Sequence, residues 1–90
     1  MDTLAHMNSQ HRKTLAAVFA QPTPANLEWR RIERLFIALG ATMVEGQGSR
    51  VAFVLHVRRA DFHRPHPGKE AKRYQVKAAK EFLQVAGVNP

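Results

Sequence analysis

The chain has no cysteine, which excludes disulfides, thiolate zinc sites and cysteine nucleophiles together and is compatible with a reducing compartment. It also lacks any stretch near the roughly 18 uncharged apolar residues that a membrane helix needs. Its first residues show no basic-then-apolar signal pattern, so a cytoplasmic location without a membrane partner is expected. Acidic residues are scarce, seven against fourteen Lys and Arg in 90 residues, for a net charge of +7. Aromatic residues make up only 8%. Trp29, Phe36, Phe53, Phe62 and Phe82 all fall on apolar faces of the pattern below, which argues against a single-strand stacking platform. What remains for chemistry is His, Ser, Tyr, Arg, Lys and the carboxylates.

Residues 1–7 show no periodicity, and the His6-Met7 pair resembles a cloning junction with Met7 as a natural start. The rest, 8–90, is expected to be a single domain. Asn8 or Ser9 caps a first helix in which Leu15, Val18 and Phe19 share a face. Pro22 and Pro24 make an extended connector, and Asn26 is the expected cap of a second helix with the apolar stripe Trp29, Ile32, Leu35, Phe36, Leu39. Gly40 stands where a helix takes a left-handed terminating residue.

After Gly40 the apolar period changes from 3.6 to 2. Residues 41–45 form a short strand, and Gly46 to Ser49 supply a turn. Val51, Phe53, Leu55 and Val57 then alternate as the inward set of a second strand, and Ala60 and Phe62 as that of a third. The turn between these strands, near His56 to Arg58, lacks Asn-Gly chemistry, and His56 reads as an exposed polar residue. The loop from His63 to Gly68 is stiffened by Pro65 and Pro67. A last helix from about Glu70 turns Val76, Ala79, Phe82, Leu83 and Ala86 inward and stops at Gly87. Tyr74, among the basic residues of this helix, could stack on a base but is expected rather to cover the edge of the core. The fold class is α+β, a two-layer α-β-β-β-α arrangement with a three-stranded antiparallel sheet and an extra N-terminal helix.

The positive charge is unevenly placed. Between residues 50 and 80 stand nine Lys or Arg and only Asp61 and Glu70, while the rest of the chain balances. Lys69, Lys72, Arg73 and Lys77 cluster at the start of the last helix, where a partial positive charge makes cations unfavourable unless an anion offsets them. Phosphates bound there would do so. The alternative is a solvated basic face. His63 and His66 flank Arg64 beside that cluster, with structural, phosphate-positioning or proton-transfer roles open to them. No third ligand of the right kind stands near them, so no metal site and no cofactor is expected.

The order of the motifs Leu35 to Gly40 (LxxLG), Gly48-Ser49, a strand pair, and His66-Pro67-Gly68-Lys69-Glu70 leading into a helix with Ala-Gly near its end resembles the HicA toxins over about residues 29–88. The resemblance implies a fold similar to the double-stranded RNA-binding domain. It also implies the activity of a ribosome-independent mRNA interferase silenced by a HicB-like antitoxin. Members of that family usually carry a catalytic histidine directly after, or one residue beyond, the Gly-Ser pair; here Arg50 and Val51 stand there. Arginine cannot act as a base at neutral pH, though it can stabilise charge on a phosphoryl group.

The reading is therefore a toxin that binds and cleaves mRNA without a metal. Its catalytic candidates are Arg50, His66 and His63, and its RNA-binding candidates are Ser49, Arg64, Lys69, Lys72, Arg73 and Lys77. The alternative is a non-catalytic RNA-binding module of the same fold, which the missing histidine favours. A DNA-binding or purely structural protein is the third possibility, and no recognition helix supports it.

Overall fold

The computed structural model describes residues 7–90. Of the expected tail at residues 1–7, all but Met7 lies outside the described residues, and Met7 packs against the core. Helix α1 spans Ser9–Phe19, and Asn8 caps it by accepting the His11 N–H at 2.8 Å. Leu15 and Val18 point inward as expected. Thr14 is also fully buried, and its hydroxyl is satisfied by donating to the Gln10 carbonyl at 3.0 Å.

Helix α2 spans Trp29–Ala38, so the expected cap at Asn26 falls outside it. Glu28 occupies the cap position without a side-chain hydrogen bond. Tertiary pairing replaces the cap: Glu28 forms an antiparallel bridge with Glu70, Trp29 N–H donates to the Lys69 carbonyl at 2.9 Å, and Ala71 N–H donates to the Leu27 carbonyl at 2.7 Å. That bridge also moves the start of the last helix. Glu70 is held in that bridge, and α3 spans Arg73–Val85 rather than beginning near Glu70.

Both α2 and α3 stop at a left-handed glycine, Gly40 (φ +101°) and Gly87 (φ +86°). Ala41 N–H returns to the Phe36 carbonyl at 2.9 Å and Val88 N–H to the Leu83 carbonyl at 2.8 Å, the six-to-one closure of a Schellman motif.

Strands β1 (Thr42–Glu45), β2 (Arg50–Leu55) and β3 (Arg58–His63) form an antiparallel sheet in the order β1-β2-β3. Val51, Phe53, Leu55 and Phe62 lie in the core with the inward faces of the helices. At its centre the Phe36 ring sits 4.9 Å from Phe53 and 5.1 Å from Phe82, both edge-on, an arrangement that adds to the area these rings bury.

Val57 does not continue the inward row of β2. The strand ends at Leu55, and His56 and Val57 form a two-residue turn with φ +50° and +62°, leaving Val57 95% exposed. Positive φ at both residues is the hairpin geometry that matches strand twist. His56 is more than an exposed polar residue, since its Nδ1–H donates to the Ala86 carbonyl at 2.8 Å and ties the hairpin to the end of α3. Tyr74 does not cover the core edge either: it stands on the first turn of α3, 64% exposed.

Candidate nucleic-acid interface

The β2–β3 register determines which candidate residues meet. Arg50, the first residue of β2, pairs with His63, the last of β3, so the two side chains neighbour each other on one face. Ser49 precedes Arg50, with its hydroxyl 3.4 Å from His63 Nδ1 and its carbonyl accepting the Arg64 N–H at 2.8 Å. A serine, an arginine and a histidine are thus gathered at one end of the ladder. Arg50 also lines a shallow depression of about 190 Å³ on the outer face of the sheet, with Val44, Ala52, Arg59 and Asp61.

Gln75 joins the start of α3 to this end of the sheet. Its side chain is buried, donates from Nε2 to the His63 carbonyl at 2.6 Å, and accepts the Lys72 N–H on Oε1 at 2.8 Å. A lysine at the cap offers no acceptor to the helix amides, so only this half of a capping box forms. The consequence is that Lys72 and Arg73 open α3 next to His63, with no acidic residue in the first turn. Gln75 was not among the sequence candidates; its signal was a glutamine three residues after the cap position, obscured because Lys72 is not a capping residue.

The other expected contacts divide. Arg64 is held by two carboxylates, Nε to Glu33 Oε2 at 2.8 Å and Nη1 to Glu45 Oε1 at 2.8 Å. Its hydrogen bonds to Glu45 and then Glu33 push its pKa further up, and the hydrogen bond from Arg64 holds Glu45 below the usual carboxylate range. Glu33 also accepts from the indole N–H of Trp29. Arg64, expected at a phosphate, is thus also engaged by two carboxylates of its own chain. Lys69 lies 3.7 Å from Glu28. Arg59 pairs with Asp61 at 3.1 Å, which lowers the Asp61 pKa mainly through that hydrogen bond.

The basic residues of the 50–80 span thus divide into paired and unpaired ones. Arg50, Lys72, Arg73 and Lys77 carry no ion pair among the described residues. Arg58 lies at the hairpin end of the sheet, and Lys80 sits over the Phe19 ring at 5.7 Å. His66 is exposed in the loop beyond His63 and makes no hydrogen bond among the described residues. No group of three or more His, Asp or Glu that could hold a metal occurs among them, and no described helix is long and apolar enough to cross a membrane.

The family model described as the HicA toxin of bacterial toxin-antitoxin matches residues 29–88, which covers α2, the whole sheet and α3. The chain belongs to the HicA toxin family. Membership implies an antitoxin partner. Helix α1 precedes the HicA match and packs on α2 and α3. No curated protein and no solved structure matched at a significant level. Within this HicA chain, Arg50 follows the Gly-Ser pair and His63 is its cross-strand neighbour.

Proposed function

We propose that this HicA-family toxin binds mRNA across the end of the molecule where β2 begins, β3 ends and α3 starts, and cleaves it without a metal. The observation that carries the reading is the pairing of His63 with Arg50, with the Ser49 hydroxyl 3.4 Å from the imidazole. Metal-free cleavage needs a base for the ribose 2′-hydroxyl and charge stabilisation at phosphorus. His63 takes the 2′ proton, the freed oxygen attacks phosphorus to form a 2′,3′-cyclic phosphate, and the 5′ oxygen leaves with a proton supplied by His66 or water. Arg50 neutralises the charge developing on the phosphoryl oxygens. Ser49 orients the imidazole. Lys72, Arg73 and Lys77, with Lys69 and Arg64 in lesser roles because of their ion pairs, attract and place the phosphate backbone. A HicB-like antitoxin in the cytoplasm neutralises the toxin by competing for this positive end.

A non-catalytic RNA-binding role is the second reading. The presence of Arg50, which offers no base where the family's histidine is expected, favours it. One assay separates the two. Labelled RNA incubated with the protein in EDTA yields fragments ending in cyclic phosphate; His63→Ala abolishes cleavage with RNA affinity within threefold of wild type, and His66→Ala slows it. Cleavage by His63→Ala at the wild-type rate overturns the assignment. Intact RNA with the wild-type protein, bound but uncut, establishes the second reading.

A further inference from the structure

Among the described residues strand β1 is an edge of the sheet, bonded only to β2, and all four of its residues are exposed. Free edges are usually short, charged or covered, because unpaired amides and carbonyls template pairing with another chain. The register shows which groups are free. Gly46 N–H donates to the Arg50 carbonyl at 2.9 Å, and Gly46 stands opposite Arg50 as the β1–β2 register continues. Bonded and non-bonded pairs alternate along an antiparallel ladder. Thr42 and Val44 therefore bond inward to β2, while Met43 and Glu45 direct their backbone N–H and C=O away from the sheet.

A groove of about 490 Å³ runs beside this edge, lined by His11 of α1, Arg30, Arg34, Ile37 and Ala38 of α2, and Met43 of β1. Ile37 and Met43 are 48% and 41% exposed, large apolar side chains left open on a small surface. The groove's charge is cationic where it is free. Glu33, which also lines it, and Glu45 on the adjoining strand are both bound to Arg64, whereas Arg30 and Arg34 carry no ion pair among the described residues.

We infer that the outward edge of β1 and the groove under α2 form a docking site for an acidic, extended segment of a partner protein, which adds to the sheet as a fourth strand. Backbone pairing with Met43 and Glu45 supplies the attachment. Alternate side chains of the incoming strand reach the groove: apolar ones meet Ile37 and Met43, and carboxylates meet Arg30 and Arg34. RNA matches neither the row of unpaired peptide groups nor the apolar floor. A second copy of this chain would bring its own +7 charge against Arg30 and Arg34. The site is separate from the Ser49, Arg50 and His63 cluster and does not rest on the nuclease reading.

The test uses the full chain and two short blocked peptides with threonine at every second position; the positions between, which share one face of the strand, take valine and glutamate in turn in one peptide and valine and lysine in the other. Fluorescence anisotropy gives affinity, and amide hydrogen exchange gives location. The glutamate peptide binds and slows exchange at Met43 and Glu45, and the lysine peptide binds at least tenfold more weakly. Met43→Pro removes one outward N–H at an edge position where proline is tolerated and abolishes binding with an unchanged circular dichroism spectrum. Arg30→Glu with Arg34→Glu, which leaves the backbone edge intact, weakens binding at least tenfold. His63→Ala binds the peptide like wild type even if it is inactive on RNA. Equal binding of the two peptides, or protection confined to residues near Arg50 and His63, overturns the inference. So does protection of Met43 and Glu45 by RNA, or by self-association seen in sedimentation without peptide.

Discussion

Gln75 donates its side-chain N–H to the carbonyl of His63 at 2.6 Å and so fixes the end of β3 against the first turn of α3. The same side chain accepts the Lys72 N–H. Replacing it with leucine keeps the volume but strands two backbone groups, at a cost of about 1–3 kcal/mol. Urea unfolding of Gln75→Leu should show that loss. In the proposed nuclease, Gln75 is a positioning residue, so the variant should lower the single-turnover cleavage rate more than RNA affinity. A rate unchanged at protein concentrations where the variant is folded and RNA-saturated would remove Gln75 from that role.

Val57 is a β-branched residue with φ +62° and almost no contact with the fold. Left-handed geometry costs an L-residue about 1–2 kcal/mol, and glycine escapes it at an entropic cost of roughly 0.5–1 kcal/mol. Val57→Gly should therefore raise stability by up to about 1 kcal/mol, seen as a higher urea midpoint with an unchanged slope. His56 should stay, because its imidazole holds Ala86; His56→Ala is expected to destabilise by about 1 kcal/mol.

The elements were readable where local pattern decides them. The stripe from Trp29 to Leu39 and the stops at Gly40 and Gly87 needed only helical period and backbone freedom, and the core face of Val51, Phe53 and Leu55 needed only alternation. Pattern failed where a distant segment took over. Alternation ran on through Val57 because nothing local marks the turn, and Asn26 had the right chemistry for a cap that the Glu28–Glu70 bridge supplies instead. The candidate site was legible as residue types but not as a set. Arg64 looked like a phosphate contact because its partners, Glu33 and Glu45, lie 31 and 19 residues away. His63 is separated from His66 as a candidate by strand register, which pairs it with Arg50 and which composition cannot supply.

Lys72 and Arg73 open α3 without a carboxylate partner among the described residues. If they face phosphates, reversing both to glutamate removes the attraction and adds repulsion, so RNA affinity should fall by at least tenfold. The slope of log affinity against log salt should shrink by about 1–2, one for each phosphate that is no longer neutralised. Arg58→Glu, at the hairpin end, serves as the comparison and should change both far less. Equal losses from the two ends would mean that the charge acts diffusely.

Arg64 ties α2, β1 and the loop before α3 together through Glu33 and Glu45, and the hydrogen bond to Arg64 lowers the Glu45 pKa. A folded value below the unfolded one means that the pairing contributes stability above the unfolded carboxylate value of about 4.3 and loses it as pH falls through the lower folded value. Stability should thus hold between pH 5 and 7 on this account and drop below about pH 4. Glu45→Gln removes the titrating group, so its urea midpoint should fall less between pH 5 and 3 than that of the wild type, while lying lower at pH 7. Because Glu45 is exposed, high salt should shrink the difference at pH 7. Parallel pH curves for the two proteins would show that Arg64 is held by Glu33 alone.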